Sequence, residues 1–340
     1  MTETVASAEA LASGLLTAAG MDPGNARTSA RCIVMADVWG IGSHGLMRLP
    51  YYLQRMAAGG YPPDAELRVV DDTGPVVSAT GGGGLGHWQL WEAAGLAVSR
   101  CRRYGIGAVA VADSGHCGAL GLYTVPGLRE GLLTLAFSNG PAVMPPWGGA
   151  KPLLSTSPLA AGIPARPRPA IIDMATSAVA RGKIAAHARR GTQLPEGWAL
   201  AADGTPTTDP QEALYGMLSP LGGAKGFALA LLVESLAGGL AGPNLSADVP
   251  DMFTESDAPN PQRIGHVLIT LDPARFAGGG EAAAKRLDRL AASVEDAGGR
   301  LPGRDRVLPE NVDPHTPLKV DDGTVRELRQ WAERLGVPPE

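Results

Sequence analysis

Beyond residue 75 the chain alternates short apolar runs with longer helical patterns, and this alternation constrains its fold more than any other feature. PVVSAT (75–80), IGAVAVAD (106–113), LLTLAFS (132–138), LAAGI (159–163), AIIDMA (170–175) and IGHVLITLD (264–272) read as strands. HWQLWEAAGLAVSRCRR (87–103), SAVARGKIAAHARR (177–190), KGFALALLVESLAGGL (225–240) and EAAAKRLDRLAASVEDA (281–297) carry helical spacing. Such alternation predicts a mixed α/β fold with a sheet at its centre. At 340 residues the chain exceeds the roughly 250–300 that one core accommodates, so two packed units are expected.

Upstream, residues 4–19 predict a helix stopped by Gly20. Asp22 and Pro23 then supply a cap and a first-turn proline for a second helix ending near Val38. Leu46, Leu49, Leu53 and Met56 continue at helical spacing, with Pro50 expected to kink that helix. Residues 191–220 read as a turn-rich loop. No apolar stretch approaches the roughly 20 residues of a membrane span. Net charge is −5 and no run of Lys or Arg appears, so a nucleic-acid footprint is absent. Cys32, Cys101 and Cys117 form no CxxC pair, and the first 20 residues lack a basic leader; both point to the cytoplasm.

Gly81, Gly82, Gly83, Gly84 and Gly86 satisfy GxGxxG between a strand and a helix. However, Asp113 stands 27 residues beyond Gly86, later than the acidic partner of a dinucleotide turn, and a glycine run matches almost any glycine motif. A flexible or tightly packed turn is the better reading.

The chemistry concentrates in SHGLMRLPYY (43–52). His44, Arg48 and Tyr52 are spaced by four, so a helix capped by Ser43 would carry them on one face. Histidine exchanges protons near neutrality, arginine grips a carboxylate through two bonds, and tyrosine adds an orienting hydrogen bond. A capped helix with a surface arginine and packed aromatics fits the same spacing. A second stretch, SGHCGALGLYT (114–124), puts His116 at the carboxyl end of a buried strand, where α/β sheets hold ligands. Cys117 beside it lacks a third orienting group for thiolate chemistry.

At these residues the chain resembles the malate/L-lactate dehydrogenase family 2, whose members include malate, sulfolactate and ureidoglycolate dehydrogenases and reductases of diketogulonate and of cyclic imino acids. PPWGGAKPLLSTSPLAAGIP (145–164), IDMATSAVARGKI (172–184), PLGGAKGFALALLVESLAGGLAG (220–242), IGHVLITLDPARF (264–276) and RLPGR (300–304) extend the resemblance over nearly the whole chain. It implies a non-Rossmann NAD(P)-binding sheet domain (121–284) and a helical and sheet substrate domain (1–120 with 285–340). It implies His44 and His116 as catalytic residues, with Ser43, Arg48 and Tyr52 binding a small carboxylate substrate. Ser138, Asp173, Met174, Ala175, Lys225, Pro302, Gly303 and Arg304 would approach NAD or NADP, and the protein would be a homodimer. Hydride transfer would link nicotinamide to the carbon beside the carboxylate of a 2-hydroxy acid or, alternatively, a cyclic imino acid. Two departures stand out. Ser155, Thr156, Ser157 and Pro158 replace the usual GTNP, and Cys117 stands where Phe is frequent. A metal-dependent hydrolase built on Asp37, His44, Asp113 and His116 lacks HxH or HExxH spacing.

Overall fold

Apolar strands bury both faces only at the middle of a covered sheet, and the most continuously apolar strand, Ile264–Leu271, lies there. The computed structural model describes residues 2–252, 254–276 and 281–338. Its seven-stranded sheet runs, in order, Arg68–Thr73, Val76–Thr80, Ile106–Ser114, Ile264–Leu271, Leu133–Ser138, Leu159–Ile163 and Ala170–Met174. Only the pair Val76–Thr80 and Ile106–Ser114 is parallel. Helix Gly86–Tyr104 makes that crossover, burying Leu90, Ala93, Ala94, Ala97 and Cys101. All six expected strands are present. Arg68–Thr73 (RVVDDT) was not expected; it is exposed throughout and charged, as an edge strand must be to resist further pairing. The sheet draws strands from both sides of residue 120, so the two expected units share it.

Helix Pro23–Val38 starts where its cap predicts, and Val5–Ala18 falls one residue inside each end of the expected 4–19. Thr4 and Ser7 form a capping box, and Asp22 accepts from the amides of Gly24 and Asn25. They pack with Leu49–Ala58 and the C-terminal helix Asp322–Leu335 around Leu15, Leu16, Ile33, Leu49 and Leu53. Strand Pro317–Lys319 pairs antiparallel with Thr2–Thr4, tying the two ends of the chain together.

Several expectations need correction. Pro50 does not kink a helix; it lies in the first turn of Leu49–Ala58, where no backbone donor is needed. Residues 191–220 form a small three-stranded sheet, Ala199–Leu200, Pro206–Thr207 and Met217–Leu218, with a helix, Pro210–Tyr215, capped by Asp209. The helix placed at 177–190 begins at Arg181, because Ser177 bridges to Pro220 and Ala178 donates to Ser219. One apolar run does approach a membrane span. Helix Ala224–Glu234 continues through a π-helical turn, Ser235–Ala241, giving 18 residues of mean hydropathy 1.4. One side packs on the central sheet, where Gly265 lies against the Ala237 carbonyl, while Leu229, Leu231, Leu232 and Leu240 stand exposed.

Candidate functional site

The segment after helix Pro23–Val38 cannot continue as one helix, because a half-buried carboxylate redirects it. Asp37 Oδ2 accepts the Leu46 amide at 2.7 Å, and Gly45, extended at φ −92 and ψ −150, passes so close that a methyl there would overlap the carboxylate. Two single 3-10 turns result, Gly42–His44 and Leu46–Arg48, before Leu49–Ala58 begins. The helix expected from a Ser43 cap is therefore absent. Ser43 caps nothing; its Oγ instead shares a 2.9 Å hydrogen bond with His44 Nδ1. Burial pushes the Asp37 carboxyl up to about 6. Gly45→Ala is expected to cost about 1–3 kcal/mol, because displacing Asp37 strands a buried amide. Chemical denaturation and steady-state kinetics of that variant would check this, with stability and kcat/KM falling together.

Although the helix is absent, the residues expected on its face still meet. The His44 and His116 rings stack at 5.5 Å and 20°. Tyr52, wholly buried, donates its hydroxyl to His116 Nδ1 at 2.7 Å. Arg48 turns back through Nε to the Ser43 carbonyl at 3.3 Å and lies over the Tyr51 ring.

His116 is set by the glycine run. Gly81 donates to Ala112, Gly83 to Asp113 and Gly86 to His116, and a side chain on Gly86 would collide with the Gly115 carbonyl. That run is thus a packed turn rather than a flexible one, locking the strand end that presents His116. The Gly118 amide also points at His116 Nδ1, at 3.2 Å. With two donors on Nδ1, the neutral ring carries its proton on Nε2.

The pocket disfavours positive imidazoles. Burial, then the Arg48 charge, lowers His44 to about 4. Burial first, then His44 and Arg48, lowers His116 well below its usual value. Two histidines that sequence reasoning missed line the same region. His87, fully buried, packs edge-on to Tyr52 at 5.0 Å with no hydrogen bond to either ring nitrogen. His266 occupies the register shift of the central strand, its Nδ1 near Ser138 Oγ (2.9 Å) and its Nε2 near the Gly115 carbonyl (3.2 Å). Burial lowers both to about 3. A single histidine in the apolar run IGHVLITL was the available signal for His266.

Of the residues expected near a cofactor, Ser138 is engaged by His266, and Asp173 accepts the Gly121 amide at 2.9 Å. Cys117, buried and with its thiol pushed up to about 12, lies beside Ser138 and Asp173, so both reach the His116 loop. Met174 ends the strand Ala170–Met174 and Ala175 follows it, both half-buried. Leu221 donates to Thr176 at 2.8 Å, which brings this strand end to the start of helix Ala224–Glu234. That start has no side-chain cap, and Lys225 stands exposed in its first turn. Free amides beside a lysine suit a pyrophosphate, so this corner fits a dinucleotide. Pro302 accepts the Ile171 amide, and Gly303 lies against the Ile171 carbonyl; this turn therefore braces the sheet edge, and Arg304 is exposed beside it. Arg181 donates to the Leu214 carbonyl. Among the described residues no His, Cys, Asp and Glu group could hold a metal ion.

The family model described as malate/L-lactate dehydrogenase matches residues 4–329. The chain belongs to this family. It is an NAD(P)-dependent oxidoreductase. Among members of the malate/L-lactate dehydrogenase family, it is 38% identical over 328 residues to a (2R)-3-sulfolactate dehydrogenase (NADP(+)) of Chromohalobacter salexigens, covering 96% of each chain. A sulfolactate dehydrogenase structure from Methanocaldococcus jannaschii superposes with TM-score 0.90 at 27% identity, covering 99% of this chain and 98% of that one. A delta1-piperideine-2-carboxylate reductase structure from Pseudomonas syringae gives 0.89 at 31% identity, covering 98% and 100%.

Proposed function

We propose that the enzyme interconverts a 2-hydroxy acid bearing a second acidic group, of the 3-sulfolactate kind, with its 2-oxo acid, using NADP. The observation that carries this reading is the meeting of two uncharged imidazoles with one guanidinium, although the helix expected to join them does not form. When bound, the nicotinamide takes or supplies the hydride. Arg48 pairs with the substrate carboxylate. His116, its proton held on Nε2 by Tyr52 and Gly118, donates to the reacting oxygen and fixes its place. His44, oriented by Ser43 and kept neutral, takes the hydroxyl proton during oxidation and returns it during reduction. Asp173, Met174, Ala175 and Lys225 hold the dinucleotide at the strand and helix ends. Ser138 and the Pro302, Gly303 and Arg304 turn complete that wall.

The second acid and the choice of NADP draw on the printed name of the Chromohalobacter relative. The Pseudomonas syringae structure favours a second reading, reduction of a cyclic imine beside a carboxylate. A panel of 3-sulfolactate, malate, lactate and piperideine-2-carboxylate, each with NAD(H) and NADP(H), separates them. We expect kcat/KM to be highest for 3-sulfolactate with NADP, by about tenfold or more over NAD. Faster turnover of the imine than of any hydroxy acid would reverse the assignment. The exposed leucines of Ala224–Ala241 form an apolar face suited to a second copy of the chain, making a homodimer. Three buried free thiols suit the reducing cytoplasm.

A further inference from the structure

Away from the histidine pair, a groove of about 680 Å³ opens between helices Val5–Ala18, Pro23–Val38 and Gly86–Tyr104. It shares no lining residue with the site described above, and its volume lies within the roughly 300–1,000 Å³ of small-molecule sites. Arg27, Arg31 and Arg129 line it, with Glu9 the one acidic side chain on its wall.

Arg27 and Arg31 are four apart on one helix, so they share a face and repel each other. Both are exposed, and among the described residues neither has a salt bridge. Glu9 lies beside Arg31; burial raises its carboxyl while the Arg31 charge lowers it. Arg129 is preorganised. Glu310 takes its Nε at 3.1 Å and Nη2 at 2.6 Å, and its guanidinium lies over the Trp91 ring, which also lines the groove. Met35, Leu122 and Pro309 add an apolar floor. With Arg129 paired to Glu310, Arg27 and Arg31 against Glu9 leave a net positive wall above an aromatic and apolar floor, complementary to an anionic head on a flat apolar body.

We propose that this groove binds a small aromatic anion, its phosphate or carboxylate head held by Arg27 and Arg31 and its ring resting on the Trp91 side. The test is calorimetric titration of the full chain, with saturating NADPH present, using phenyl phosphate, benzoate and inorganic phosphate. Phenyl phosphate or benzoate is expected to bind saturably. Whichever binds more tightly names the head group, and either supports the site. Kd should weaken by at least about tenfold in Arg27→Ala/Arg31→Ala and stay unchanged in Arg48→Ala. Both substituted arginines are exposed, so the double variant should fold, and its thermal transition would verify that. Three results would overturn the proposal. These are no saturable binding at about 10 mM, equal binding by the double variant, or loss of binding in Arg48→Ala. Inorganic phosphate binding as tightly as phenyl phosphate would overturn the aromatic body.

Discussion

Replacing Arg48 with alanine should lower kcat/KM by about 30- to 1,000-fold, which corresponds to about 2–4 kcal/mol of charge-assisted hydrogen bonding lost from the transition state. The size of the effect follows from what the rest of the pocket lacks. His44, His87, His116 and His266 are all held neutral, so they supply no positive charge to a carboxylate. Lysine at 48 should recover part of the loss, because it restores the charge without the planar fork. The pH profile distinguishes a binding role from a merely structural one. Arg48 is the second cause of the lowered His44 value, after burial. In the oxidation direction His44 must be neutral, so activity falls as pH drops through its pKa of about 4. Without Arg48 that acid limb should move upward, towards 6.5, while the basic side stays in place. Steady-state kinetics across pH 4 to 9 would measure both effects. An unchanged kcat/KM would remove Arg48 from the site.

The strands were legible because a buried strand needs an uninterrupted apolar run, and Ile106–Ser114 and Ile264–Leu271 have one. The cap at Asp22 was legible for a similarly local reason: a side-chain oxygen two or three residues before free amides is written in the sequence. The segment 42–48 was misread because its geometry is not local. Helical spacing among His44, Arg48 and Tyr52 survives, but Asp37, nine residues before Leu46, takes the amide that a Ser43 cap would have accepted. The meeting of His44 with His116 depends on strand Ile106–Ser114 ending beside Tyr52, a contact across 64 residues that no spacing rule contains. Edge strand Arg68–Thr73 hid for the opposite reason: an exposed strand has no apolar alternation to detect. Ser157 shows how a departure from a family pattern acquires a physical meaning. It holds φ +40, a conformation that asparagine tolerates better than serine, and the neighbouring Ser155 Oγ accepts its amide at 2.9 Å.

The same buried imidazoles should make the fold acid-labile well above the pH at which carboxylates alone would unfold it. A histidine lowered from 6.5 to about 3 or 4 stays neutral in the folded chain but takes a proton once unfolded. The stability each contributes is therefore complete above about pH 6.5. It is lost as pH falls from there towards the folded value, at about 1.4 kcal/mol per pH unit for each group. His44, His87, His116 and His266 all act in this direction. Asp37 opposes them: raised to about 6, it binds a proton in the folded chain before it does so unfolded, which favours folding as pH falls. Asp173, Glu9 and Glu92, also raised by burial, act likewise. His44, His87 and His266 against Asp37 give a net uptake of about two protons on unfolding near pH 5, which the other raised carboxyls reduce. Unfolding free energy should then fall by up to about 3 kcal/mol per pH unit between pH 6 and pH 4, a large part of the 5–15 kcal/mol typical of a domain. Urea denaturation at half-unit pH steps would measure the slope. His87→Gln should reduce it by close to one proton, about 1.4 kcal/mol per unit, because neither nitrogen of His87 has a partner to lose. A free energy that stays level from pH 7 to pH 5 would mean that these rings already carry charge in the folded protein, and His44 could then not serve as the base.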